Sequence, residues 1–596
     1  MENKIVDSKV YPLKELFLDK FDVDFYQRDY VWKKKQIEDL VSDLSIEFLK
    51  NWKESDSLPA VSEYDPYYMG EIVLSIKGGK RSSIIDGQQR ITTLTLFLIY
   101  LLRTYGHVEG FPTDVEKLIY DDYYGQKLFN LEIDDRKECM MSLFKTGDYI
   151  PKAKDSPSIH NLVERYHDIS ECWDERITEK NIVSFAYWVK EKVMFSKVWT
   201  NSDEFAYVIF ETMNDRGVSL TPVEMLRSYL LAKIDDNKRS AAIAEFNDIV
   251  KRLSDIKLSS KSKAEFEFFK IYFRGHYAED LSQNNSMSDF VRIGREFHRW
   301  VRDKEKLLKL SSSDDYIRFI HELTYFSEQY EYINNLVQSR NTNDFLYFIV
   351  NNDYGFTLQT ALILSALNYN DSVEIVDEKI KVISKYLTKV LSWRVWNHYM
   401  ISQSTMESTI YSLCKDIRNL DLEALKKLLD SEPIELPSLE NAPILNQQNR
   451  PKIKVLLALI TEIVAKESGT PDYILNKKDI EVEHIWCNHY EQHLSEFDNE
   501  SDFATVRNSI GDLLLLPKSF NASYGDDTFN SKVEQYFSQN VLAQSLNIKK
   551  YSNNPRFIDF IHKSGLQFKP YDNFDKEAIN ERTELYRSIL KWNWKK

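Results

Sequence analysis

Apolar and polar positions alternate with three different textures along this chain. Residues 1 to about 235 mix strand-like runs with helical periods. In 70–76, GEIVLSI, β-favouring residues follow one another, and SSII at 82–85 resumes the pattern after KGGKR, whose residues suit a hairpin turn. Beyond Asp86-Gly87 the period changes, and Ile91, Leu94, Phe97, Leu98 and Leu101 fall on one face of a helix. Residues 236–429 are helical almost throughout; DSVEIVDEKIKVISKYLTKVLSWRVW at 371–396 places apolar residues three and four apart. The stretch 430–451, DSEPIELPSLENAPILNQQNRP, is polar and carries prolines, which predicts a linker or long surface loop. Residues 452–596 open with another helical pattern, KIKVLLALITEIVAKES, and then hold the densest polar signals of the chain. A multidomain, mostly α architecture with α+β parts is expected, divided at 1–235, 236–429, 430–451 and 452–596.

Composition sharpens this. The chain has 596 residues, of which 16 are Gly and 15 Pro. That is less than half the usual share of about 12% and disfavours sandwiches, barrels and propellers built on many tight hairpins. The net charge is −15, which argues against coating nucleic acid or anionic membrane through bulk charge, though not against a local basic groove. Cys139, Cys172, Cys414 and Cys487 form no CxxC pair, as expected of a reducing compartment. The N-terminus lacks the apolar core of a signal peptide, and no apolar run approaches a membrane span. A cytoplasmic protein without membrane contact is expected.

The corner Asp86-Gly87-Gln88-Gln89-Arg90 lies where a strand gives way to a helix. Free N–H groups at a helix start attract anions, Gly87 permits close backbone approach, and Arg90 can grip phosphate oxygens in bidentate fashion. Asp86 is suited to a metal, a ribose hydroxyl or a water; an Asp cap, a Gly turn and a surface Arg is the plainer alternative. Upstream, YQRDYVW at 26–32 interleaves Tyr26, Gln27 and Arg28 with further aromatics, which suits stacking on a base or merely packing at a helix start. Downstream, FETMNDRGVSL at 210–220 crowds Asn214, Arg216 and Gly217 into a turn, and Ser219 or Thr221 with Pro222 begins a helix.

Taken in order, YQRDYVW, IIDGQQRITTL at 84–94 and FETMNDRGVSL resemble the signatures of the N-terminal domain of GmrSD-type, modification-dependent (type IV) restriction endonucleases and their phosphorothioate-sensing relatives. The resemblance implies a ParB/sulfiredoxin-like fold that binds and hydrolyses a nucleoside triphosphate. Tyr26, Gln27, Arg28, Asp86, Gly87, Gln88, Gln89, Arg90, Asn214, Arg216 and Gly217 would line one cleft, with Asp86 serving hydrolysis. The family's Pro before YQR is missing from DVDFYQR.

The second chemical signal is IEVEHIWCNHYEQHL at 480–494, followed by NSIGDLLLLPKSFNASYGDDTFNSKVEQYF at 508–537. A strand ending in Glu483-His484, a second strand after Asp512, and a helix beyond Asn521 form the layout of a ββα-metal (HNH) nuclease site. In it His484 is the general base, Glu483 and Asn521 hold Mg²⁺ or another divalent cation, and Asp512 orients the imidazole. A structural histidine at a strand end is the alternative. His484, His489 and His493 also suggest zinc, but no Cys pair or HExxH accompanies them. The segment resembles the C-terminal EHI…IGNLTLL…LN…F..K pattern of the same family. Two departures stand out: HIxP becomes His484-Ile485-Trp486-Cys487, and GNL becomes Gly511-Asp512-Leu513. The first loosens a turn; the second keeps an acceptor and loses an amide donor.

Three basic segments, 33–35, 257–263 and 549–550, are short and suit solvated faces better than a groove. The resemblance implies NTP-regulated, metal-dependent cleavage of foreign, modified phage DNA in bacterial defence, alone, as a homo-oligomer or with a partner defence subunit. The alternative from another class is a nucleotide-sensing switch that binds DNA or a protein, with its HNH-like part serving structure.

Overall fold

The computed structural model describes the chain except for residues 1–5, 24–29, 77–81, 124–125, 153–154, 201–220, 259–261, 437, 478, 521–526, 553 and 596. It is mostly helical with a small mixed sheet, and it divides into two compact units, Met1–Ile243 and Ala244–Lys596.

The first unit is built on a six-stranded sheet. Its strands are β1 (Val6–Pro12), β2 (Phe21–Val23), β3 (Tyr67–Ser75), β4 (Ser82–Asp86), β7 (Leu131–Glu132) and β8 (Val193–Thr200), in the order β1-β8-β3-β4-β2-β7. A separate hairpin joins β5 (Tyr120–Tyr123) and β6 (Gln126–Phe129). The predicted β3–β4 pair is antiparallel, with Leu74 opposite Ile84 and a register shift after Val73. β4 runs parallel to β2, and β2 parallel to β7, so the carboxyl ends of three strands meet at one edge. Phe48, Phe97, Phe185 and Trp188 pack in the core, with Phe48 and Phe185 edge to face at 5.2 Å.

The helix Gln88–Tyr105 departs from the expected single apolar face. Every residue from Gln88 to Leu101 is buried except Arg90, because TTLTLFLIYLL is apolar or threonine all round. Its start also lies three residues ahead of Ile91, where the period first becomes visible. Gly87, at φ +103°, turns the chain straight from strand into helix. An added Cβ there would meet Ile72 Cγ1 at 3.0 Å.

The second unit is helical up to Asp430, and includes Val373–Trp396 as the pattern predicts. In residues 430–451, Leu439 and Leu445 are buried, and Ile444 bridges Ser509. The Leu445 N–H donates to the Asn508 carbonyl at 2.7 Å, and the Ile510 N–H to the Pro443 carbonyl at 3.0 Å. After the helix Arg450–Glu467 come β9 (Ile480–His484) and β10 (Leu513–Pro517), antiparallel with Leu513 opposite His484. The helix Phe529–Tyr536 follows, which completes the expected strand, strand, helix succession. No helix among the described residues is long and apolar enough to cross a membrane.

Candidate functional site

In the first unit, the Asp86–Arg90 corner sits at the carboxyl end of β4, at the edge where β2 and β7 also end. The helix Gln88–Tyr105 has no side-chain cap, so Asp86 is not the N-cap that the plainer alternative would make it. Its first-turn N–H groups have no carbonyl partner within the helix, which is the arrangement an anion seeks. Arg90 is about a third exposed; its Nη1 donates to the Glu71 carbonyl, and Asp86 Oδ2 lies 3.9 Å away. Gly70, at φ +112°, lies beside this guanidinium, in a backbone conformation that favours glycine.

Gln89 links the corner to the segment that follows YQR. Its Oε1 accepts the Val31 N–H at 2.9 Å and so holds that segment. Tyr30 is buried and tied down as well, through its hydroxyl to Thr93 at 2.8 Å and its N–H to Ser158 at 3.0 Å. The corner and the segment leading from Tyr26, Gln27 and Arg28 are therefore joined. Tyr26, Gln27 and Arg28 themselves, and Asn214, Arg216 and Gly217, lie outside the described residues. Thr221 caps the helix Pro222–Ala232 through a capping box with Glu224.

In the second unit, His484 ends β9 and is mostly buried. Burial, with the Arg507 guanidinium nearby, pulls its pKa down to about 3, so the imidazole is neutral. Nε2 lies 3.0 Å from Asn508 Oδ1. The orienting place assigned to Asp512 thus belongs geometrically to Asn508. Asp512 is fully buried; its Oδ1 accepts the Trp486 N–H at 3.1 Å, and its Oδ2 has no hydrogen-bond partner among the described residues. Desolvation pushes its carboxyl well above the usual range. The side chain braces the backbone after His484 and does not bond the ring.

Glu483 is 7% exposed and pairs with the wholly buried Lys532, Oε1 to Nζ 3.3 Å. Lys532 also donates to the His484 and Ile485 carbonyls, each at 3.3 Å, which ties the helix Phe529–Tyr536 to the end of β9. Burial raises the Glu483 carboxyl, and Lys532 opposes that shift. Asn521 lies outside the described residues. Among the described residues no three His, Cys, Asp or Glu side chains come together around a metal position. His493 bonds Glu496 at 2.9 Å and lies against Trp486, ring centroids 4.2 Å apart. That donor set does not make a closed zinc site. One carboxylate with an amide oxygen does suit Mg²⁺, which keeps several waters and shares substrate phosphates.

Asn508 escaped the sequence reading, which sought the acceptor within GDL. The signal for it is a polar residue at the end of the helix Glu500–Arg507, 24 positions after the histidine it touches. Of the basic segments, Lys34 pairs with Glu171, Lys35 with Asp39 and Lys549 with Glu534.

The model of the GmrSD restriction endonuclease N-terminal domain matches residues 13–231, and that of the C-terminal domain matches residues 436–589. No curated protein matches the chain.

Proposed function

Because the chain belongs to the GmrSD restriction endonuclease family, we propose that it cuts foreign, modified phage DNA in a metal-dependent reaction governed by a bound nucleoside triphosphate. The observation that carries this reading is the anchored imidazole of His484 beside Glu483, at the end of a strand whose partner leads toward a helix. A general base must be held in place, and the contact with Asn508 anchors the His484 ring. A divalent cation held by Glu483 and Asn521 would stabilise charge on the scissile phosphate. In this HNH-like reading, a bound cation would have to share the Glu483 carboxylate with buried Lys532. In the first unit, a ParB-like domain would take the triphosphate on the uncapped start of the helix Gln88–Tyr105, gripped by Arg90 and Arg28. The protein would act in the cytoplasm, as a homo-oligomer or with a partner defence subunit.

Plasmid nicking with and without Mg²⁺ tests the reading. His484→Ala should lose at least about 100-fold in rate, since a positioned base contributes on that order, while folding and nucleotide binding stay intact. Glu483→Ala should raise the Mg²⁺ requirement or abolish cutting. Full cleavage by His484→Ala would remove the assignment. The Glu483–Lys532 pair favours a second reading, because a cation neutralises the carboxylate a metal needs. In that reading the chain is a nucleotide-sensing switch that binds DNA or a protein and cuts nothing, and wild-type protein would fail to nick DNA at any Mg²⁺ concentration.

A further inference from the structure

A neutral imidazole has one N–H and one lone pair, and only the lone-pair nitrogen can take a proton from water. At His484 the neighbours decide which nitrogen that is. Nε2 lies 3.0 Å from Oδ1 of Asn508. Across the same carboxamide, Nδ2 of Asn508 donates to the Ala504 carbonyl at 2.7 Å. A carbonyl only accepts, so the amide nitrogen must face Ala504 and the amide oxygen must face the ring. That oxygen also only accepts, so the hydrogen sits on Nε2 and the lone pair on Nδ1.

We infer that Asn508 is a positioning residue for DNA cleavage, which fixes His484 in the Nε2–H tautomer and leaves Nδ1 as the base. The inference rests on the reading of His484 as the general base. Asn508 is itself pinned from both sides. Its own N–H returns to the Ala504 carbonyl at 3.0 Å, and its carbonyl accepts the Leu445 N–H at 2.7 Å. The Ile444–Ser509 bridge and the Ile510-to-Pro443 hydrogen bond extend that hold. A short strap, residues 443–445, therefore holds the backbone that carries the orienting amide. Asp512 does not substitute for it, since its bonded oxygen serves the Trp486 N–H.

The test combines spectroscopy and kinetics on the full chain. With ¹⁵N-labelled histidine, the His484 signals are those lost in His484→Ala. Wild-type protein should show a protonated Nε2 and an unprotonated Nδ1. Asn508→Leu keeps similar bulk without the acceptor; it should mix the tautomers and lower kcat by about 10- to 100-fold, with KM for DNA unchanged. Asn508→Asp keeps an acceptor for Nε2 but sets a carboxylate oxygen against the Ala504 carbonyl, so it should keep the Nε2–H tautomer and recover only part of kcat. A proton on Nδ1 in the wild type overturns the inference without any variant having to fold. Full kcat in Asn508→Leu, with His484→Ala inactive, overturns it and leaves His484 as the base. Full cleavage by His484→Ala instead overturns the reading beneath it.

Discussion

Asp512 shows how far a single side chain can stand from the role its position suggests. Its carboxyl is wholly buried, with one oxygen on the Trp486 N–H and the other without a partner among the described residues. Its folded pKa is raised by desolvation. A raised carboxyl contributes stability that is complete below its unfolded value near 4 and lost as pH climbs toward the folded value. Asp512→Asn keeps the acceptor for Trp486 and removes the charge. It should raise stability at pH 8 by about 1–3 kcal/mol, with little change near pH 4. Thermal unfolding of both proteins across that range checks this, and nicking rates should match because the ring's partner is Asn508. A variant no more stable at pH 8 than the parent would mean that the carboxylate carries its charge at no cost. Glu483-His484 was legible in the sequence because acid-His at a strand end is a compact local pattern. Asn508 was not, because a contact across 24 residues depends on how a helix end and a strand end meet.

At the scale of elements, local spacing located the helices Val373–Trp396 and Arg450–Glu467 and the β3–β4 and β9–β10 pairs. It erred where burial is complete on all sides, as in Gln88–Tyr105, because a period vanishes when every face is apolar. Polar composition likewise hid the strap, whose backbone hydrogen bonds, with buried Leu439 and Leu445, fasten residues 430–451 without an apolar run. Gly511 marks another contact invisible in the sequence. A Cβ there would lie 2.0 Å from the Ile579 carbonyl oxygen and 2.5 Å from Thr583 Oγ1, both in the helix Lys576–Lys595. Arg582 of that helix donates to the Gly511 carbonyl at 3.1 Å, and Tyr586 to the Leu513 carbonyl at 3.1 Å. This helix supports the start of β10, opposite His484. Gly511→Ala must push backbone from backbone, which overpacking data place at about 1–3 kcal/mol or more. Denaturant unfolding should show that loss, together with reduced nicking by the protein that remains folded. An unchanged midpoint would mean that the helix is not seated so closely.

For the whole molecule, two domains of one restriction endonuclease family stand on one chain, each with its own candidate chemistry. If nucleotide governs cutting, the two sites must share a coupling free energy, and weakening one must alter the response of the other. Arg90 is the side chain on which to test this. Removing a bidentate charge-assisted grip typically costs about 1.5–3 kcal/mol, or roughly ten- to a hundredfold in affinity. Arg90 also bonds the Glu71 carbonyl, so Arg90→Ala changes packing as well as charge. Arg90→Lys separates the two effects, since it keeps the charge and loses the planar fork. Nucleotide binding should weaken in both variants, most in Arg90→Ala, and the NTP concentration that shifts the nicking rate should move by the same factor. Nicking without nucleotide should stay at the parental basal rate. Unchanged affinity in folded Arg90→Ala would remove Arg90 from the phosphate site. Weaker binding with an unmoved cleavage response would make the two activities independent, and the chain would then be a nuclease with a nucleotide site that does not govern it.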